Sequence, residues 1–323
     1  MRRALALTAL TLVLLPASAL AQALAHVSPD DAAKHVISAP KASYPPLAAQ
    51  ARIEGNVILG LSIGPTGKPV DIRLVRGHPM LVTAAIEAVK NWTYQPFVVD
   101  GKPTTVQTFV MVAVGNPPKP DAVDRAEMKF QNDFWTSEDS AEDALAKGDL
   151  SRAQAELSLN KDLGSTDKDL QHIPERWQWM TSMGRLCWDQ NKYDEAEHFY
   201  KDALTLRSNA PEGKGSFGAG ESMANLADFY AAAKKPELAR DQAEQALAIF
   251  EKLFKNPGLG NQAAKRVYGE NAARESWLLL KLARQRNDAA DIAELCHAMV
   301  DFQEVLSAEQ RDFLSAACQP AGH

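Results

Sequence analysis

Two runs of alternating polarity stand out early in the chain. Val57, Leu59, Leu61 and Ile63 share one face of the first; Val70, Ile72 and Leu74 share one face of the second, with Asp71 and Arg73 opposite. Strict alternation is the period of half-buried strands. Gly64-Pro65-Thr66-Gly67-Lys68-Pro69 lies between them. Pro fixes φ and Gly tolerates positive φ, so the pair is expected as a hairpin. After Arg76-Gly77-His78-Pro79 the period changes: Leu81, Ala85, Ala88, Val89 and Trp92 recur at helical spacing, which predicts an amphipathic helix laid on the hairpin. Trp92-Thr93-Tyr94-Gln95-Pro96-Phe97 ends it, Asp100-Gly101-Lys102-Pro103 forms a further turn, and a Val- and Thr-rich strand is expected from Val106 to Val114.

Beyond Asn116-Pro117-Pro118-Lys119-Pro120, a stiff linker, helical periodicity dominates. Three stretches align on one another: Ala141 to Asn160, Gly184 to Ala203 and Ala227 to Ala246, at a constant offset of 43 residues. Each opens on a small residue and reaches Ala153, Ala196 or Ala239 about twelve positions later. A helix-breaking turn precedes that Ala: Gly148-Asp149-Leu150, Asn191-Lys192-Tyr193 or Lys234-Lys235-Pro236. A constant offset of this size predicts stacked helix-turn-helix repeats. Leu278 to Phe302 reads as a degenerate last pair that caps the array.

The first region carries Tyr44-Pro45, Glu54-Gly55-x-Val57, Gly67-x-Pro69-Val70-Asp71, Ala85-x-x-Ala88-Val89-Lys90-x-Trp92-x-Tyr94-x-Pro96 and Gly101-Lys102-Pro103. In this order they resemble the C-terminal domain of the TonB family. The resemblance implies an α+β module with a three-stranded antiparallel sheet and helices over residues 44–115, in which Tyr44, Pro45, Gly55, Trp92, Tyr94 and Pro96 are structural. It also implies that the last strand offers its backbone edge to an extended peptide of an outer-membrane receptor. Val106, Thr108, Val110 and Val112 would then be the partner-binding residues, by strand addition. Gly184, Tyr193, Ala196, Tyr200 and Ala203 resemble the tetratricopeptide pattern, implying an all-α protein-contact array over residues 126–318, after a linker at 116–125.

The N-terminus bears on location. Arg2 and Arg3 precede an apolar run from Ala4 to Leu15, then Pro16, Ala19-Leu20-Ala21 and Ala21-Gln22-Ala23. A charged start, a short apolar core and small residues form a secretory signal peptide, expected over 1–23 with export to the periplasm. A retained inner-membrane anchor is the alternative, and only then is membrane contact expected. Energy-transducing TonB proteins carry a functional His in that anchor and a long Pro-rich spacer; here the apolar run has no His, and only a short linker expected over 24–43, Leu24 to Ser43, precedes the module.

Charge sharpens the partner class. The net charge is −6, with Pro40–Asn116 at +3 and the chain from Asp121 onward at −11. Nucleic acid is not expected as a partner, because phosphate binding needs dense positive charge; envelope proteins are.

Enzyme-like signals are weak. Gly60-Leu61-Ser62-Ile63-Gly64 fits a nucleophile elbow, but no helix follows its strand. Gly213-Lys214-Gly215-Ser216-Phe217-Gly218 fits a dinucleotide loop without the preceding strand. Glu294-Leu295-Cys296-His297 holds one E-x-x-H and no second copy. No catalytic residue, metal or cofactor is expected. Of the three cysteines, Cys296 and Cys318 flank the last helices and are the more plausible disulfide, while Cys187 is expected to face the repeat core.

Overall fold

The computed structural model describes residues 25–99, 101–117, 119–164, 172–211, 213–255, 262–302, 311 and 318. The expected signal peptide, Asp100 of one turn and Pro118 of the linker lie outside the described residues. The chain divides into two compact units, one ending at Asn132 and the other beginning at Asp133.

In the first unit, the segment read as a short linker carries structure of its own: β1 (Ala25–His26), α1 (Pro29–Lys34) and β2 (Val36–Ser38). Then come α2 (Pro46–Gln50), β3 (Gly55–Ile63), β4 (Pro69–Arg76), α3 (Pro79–Lys90), β5 (Thr93–Tyr94), β6 (Val98–Val99), β7 (Lys102–Pro103) and β8 (Val106–Val114). β3 is antiparallel to β4 on one side and to β8 along its full length on the other. This is the expected three-stranded sheet. A fourth strand extends it, because β1 pairs with the far side of β8 in parallel, giving the order β1-β8-β3-β4.

The core of this unit joins Val57, Leu59, Leu61 and Ile63 to Leu81, Ala85 and Val89 of α3 and to Tyr94 and Phe97. Ala32 of α1 is buried there too. Two burial expectations change. β3 is central, so Ile58 and Ser62 on its other face are also buried; Arg73 lies across Gly60 on that face, with its guanidinium over Phe109. Conversely, Val70 and Leu74 are exposed, since β4 is an edge strand whose pairing is interrupted by register shifts at both ends. Bulges of this kind turn an edge away from regular pairing.

The helices of the array come in pairs: α4 (Ala122–Ala146) with α5 (Leu150–Ser158), α6 (Ile173–Asp189) with α7 (Tyr193–Ser208), α8 (Phe217–Ala232) with α9 (Pro236–Phe254), and α10 (Gln262–Gln285) with α11 (Ala289–Met299). α4 starts inside the segment expected as a linker, and the division between units falls within it. Each turn uses one left-handed residue: Gly148, Asn191, Lys234 and Asn287 have φ of 73°, 61°, 58° and 55°. The N–H of the next residue reaches back to a carbonyl five residues earlier, as Asp149 to Ala144, Lys192 to Cys187, Lys235 to Tyr230 and Asp288 to Ala283. This is the Schellman closure of a helix end. The first three turns keep the offset of 43; Asn287 falls ten residues late, because α10 is a longer helix than α6 or α8.

The recurring small residues are where the helices meet. Ala153, Ala196 and Ala239 are fully buried. A Cβ on Gly184 would stand 3.0 Å from the Tyr200 ring, and one on Gly220 2.8 Å from Phe250. Close-packed interiors leave no room for such an atom.

Candidate partner-binding surfaces

β8 is held so tightly by its own module that its side chains have little left to offer. Val106, Thr108, Val110 and Val112 stand opposite Ile63, Leu61, Leu59 and Val57, on the core face. Val106, Thr108 and Val112 are buried and Val110 partly so. The other face carries Gln107, Phe109, Met111 and Ala113, of which Phe109 is buried, Gln107 and Met111 partly exposed and Ala113 exposed. What the strand has available is backbone on the side away from β3. There β1 takes the first positions: Ala25 pairs with Val106, His26 with Gln107, and the Val27 N–H donates to the Gln107 carbonyl at 2.8 Å. The His26 ring packs on Phe109 at 5.6 Å. Burial pushes its pKa down to about 4, so the ring is neutral at ordinary pH.

The helical unit holds a row of buried and partly buried polar groups that links successive first helices. Ser182 on α6 donates to Glu138 on α4 at 2.8 Å, and Gln178 on α6 to Glu142 on α4 at 2.9 Å. The Trp177 indole donates to Ser222 on α8 at 2.7 Å, with the Arg207 guanidinium 4.5 Å over its ring. Arg274 on α10 pairs with Asp228 on α8, and the fully buried Glu275 lies 3.6 Å from Arg274 Nε. Desolvation dominates this row. It raises Glu138 to about 8, against the Ser182 hydrogen bond, and Glu275 to about 8, against the charge of Arg274. Glu221 is raised by burial to about 7, with Arg207 and Arg274 opposing. Burial and Asp139 raise Glu142. Burial thus favours the neutral form of Glu138 and Glu275 at neutral pH, so the row is a seam between repeats in which Ser182 and Gln178 donate to carboxyls.

The sequence reading missed this seam. A signal existed: Glu142, Arg185 and Asp228 recur at the repeat offset of 43, putting a polar group at one equivalent place on each first helix.

Comparison with known families places both units. A model described as Gram-negative bacterial TonB protein C-terminal matches residues 40–113, and a tetratricopeptide repeat model matches 178–252, which is α6 to α9. The chain joins a TonB-like C-terminal domain to tetratricopeptide-like repeats. Among solved structures it is similar to a Podosopora anserina kinesin light chain of nearly identical tetratricopeptide-like repeats, at 15% identity, TM-score 0.35, 57% of this chain and 90% of that chain. BtubC (BKLC) from P. vanneervenii is similar at 18% identity, TM-score 0.37, 61% of this chain and 81% of that chain. No curated protein matches.

In the TonB-like domain the motif residues are fastenings. Tyr44 donates its hydroxyl to the Ala48 carbonyl, and Pro45 caps α2. Trp92 Nε1 donates to the Pro40 carbonyl at 3.0 Å, tying the entering chain to the end of α3. Tyr94 is buried, its N–H bonded to the Gly67 carbonyl; Gly55 opens β3 against Leu81; Pro96 is exposed between Tyr94 and the buried Phe97. Ser62 sits in central β3 between Asp71 and Gln107, without the strand-to-helix turn of a nucleophile elbow. Gly213–Gly218 leads from helix α7 into α8 through a Ser216 cap. Among the described residues no group of three His, Cys, Asp or Glu side chains is placed to hold a metal.

Cys187 is a buried free thiol, whose pKa burial raises first and Glu195 second. Cys296 and Cys318 form a disulfide with their Cα atoms 5.7 Å apart, closing a separation of 22 residues. Changing both to Ser is expected to destabilise this end of the array by about 3–4 kcal/mol, the cost of reopening a loop of that size. Urea unfolding of the variant beside the oxidised protein measures it, and coincident midpoints would contradict it.

Proposed function

We propose that the protein is an exported adaptor of the Gram-negative envelope, which brings envelope proteins together in the periplasm through its TonB-like domain and its repeats. The observation that carries this reading is the fusion itself: a TonB-like domain and tetratricopeptide-like repeats on one chain, both of a protein-contact type. The charged and apolar pattern of residues 1–23 supports export, and the Cys296–Cys318 disulfide suits an oxidising compartment. Partner capture by the TonB-like domain runs through the β8 edge, where main-chain hydrogen bonds supply affinity. Among the described residues no helix is long and apolar enough to cross a membrane.

Fractionation of a Gram-negative host, with the mass of the mature chain, tests the proposal. A chain beginning near Gln22 or Leu24 and released with the periplasm is the expected result. An intact Met1 held in the inner membrane would replace the adaptor with a membrane-anchored energy transducer.

A further inference from the structure

We infer that Ala25–Val27 is a built-in occupant of the β8 edge, and that the partner admitted there is an uncharged extended peptide lying parallel to β8, which enters when this segment leaves. The inference rests on the strand-addition reading of β8 and specifies its ligand.

Three observations converge on it. First, the edge expected to receive a peptide is already paired, by a segment of this chain in the parallel sense. Second, the pairing is short. β8 matches β3 over all nine of its residues, whereas among the described residues β1 matches Val106 and Gln107 alone. Backbone groups alternate along a strand, and the Gln107 carbonyl faces β1. Phe109, Met111 and Ala113 therefore turn theirs to the same side, beyond the reach of the two paired residues. A longer peptide would use positions that β1 leaves unused, and parallel pairs are the less stable kind per residue. Third, β1 is tethered close behind: Ser28 caps α1, and Ala32 of α1 is buried in the core. The segment can leave the edge while α1 stays seated, and return by a short path.

The occupant also states what the edge recognises. The core-facing side chains of β8 are spoken for, so selectivity comes from the face of Gln107, Phe109 and Met111. There His26 lays a neutral ring on Phe109, while Arg73 already covers that ring with its own cation at 5.4 Å. A partner peptide should place an uncharged aromatic or imidazole side chain where His26 stands. A lysine or arginine there would meet Arg73.

The test uses the full chain and a labelled synthetic peptide of its own residues 24–29, capped at both ends so that it carries no fixed charge. Val27→Pro removes the donor to Gln107, and His26→Gly removes the ring. The peptide is expected to bind either variant at least tenfold more tightly than the wild type, with binding lost when its own His is changed to Lys. Equal affinities, or no binding to variants that melt cooperatively, would overturn the inference. Hydrogen exchange on the wild type keeps the test independent of variant folding. The Val27 amide should exchange at least tenfold faster than the Leu59 and Leu61 amides, and equal protection would mean that β1 does not leave. Neither readout depends on where the protein resides, so failure of the envelope proposal and failure of this one are separable.

Discussion

Gly67→Ala is expected to unfold the TonB-like domain at temperatures where the wild type is intact. Gly67 has φ of 75°, and an added Cβ would lie 1.9 Å from the Tyr94 carbonyl oxygen. The obstacle is backbone, so no side chain can swing aside. The Gly67 carbonyl also accepts the Tyr94 N–H at 2.8 Å, so relieving the clash moves β5 away from the hairpin. Tyr94 and Phe97, both buried in the core, move with it. Left-handed strain alone costs about 1 kcal/mol for a residue with a Cβ; with a displaced strand and an opened core, the total exceeds about 3 kcal/mol. Gly101 provides the control. Its φ is 76°, yet nothing lies within 4 Å of an added Cβ, so Gly101→Ala should cost only the strain. Exchange rates of the β3 amides in the two variants decide the matter. Equal protection would mean that the hairpin turn does not grip β5.

The contrast between these glycines marks the limit of what the sequence could convey. Both sit in Gly-Lys-Pro turns, and the turn chemistry was legible at each. That one turn is clamped by Tyr94, some 27 positions on, follows only from the fold. The strands and helices were legible because alternation and helical spacing are local, and the repeat because its offset of 43 returned three times. β1 was not: two residues make no period, and Ala25-His26 is a strand only because β8 is beside it. The exposure of Val70 and Leu74 was likewise hidden, since a pattern of two does not tell an edge strand from a central one. At the candidate site the resemblance pointed to β8 by way of side chains that the module keeps for its own core. The buried glutamates were least visible, because Glu on a helix reads as solvent-facing until its neighbours are known.

Those glutamates give the second large expected effect: the helical unit should be more stable at pH 5 than at pH 8. In the unfolded chain a Glu carboxyl titrates near 4.5, whereas Glu138 and Glu275 are pushed up to about 8 in the fold. Between those values the folded state holds protons that the unfolded state has released, so stability falls as pH rises and levels off above about 8. Each group can withdraw up to about 4 kcal/mol across pH 5 to 8, at roughly 1.4 kcal/mol per unit. Glu221, pushed to about 7, adds to the slope over the lower part of that range. Glu138→Gln retains an acceptor for Ser182 and cannot ionise, and Glu275→Gln removes the other titrating carboxyl. Each should flatten the dependence of the helical melting transition on pH, and the double variant should leave the shares of Glu221 and Glu142, which burial also raises. The TonB-like domain supplies an internal contrast. His26 is depressed to about 4 from an unfolded value near 6.5, so its contribution is present above pH 6.5 and is lost as pH falls towards 4. Acid should therefore weaken the domain that holds β1 while it strengthens the repeats. Melting curves at 222 nm across pH 5 to 8, for the wild type and the two Gln variants, measure the first half. A slope that the substitutions leave unchanged would mean that these carboxyls are ionised in the fold, and that the seam between repeats is held by charge.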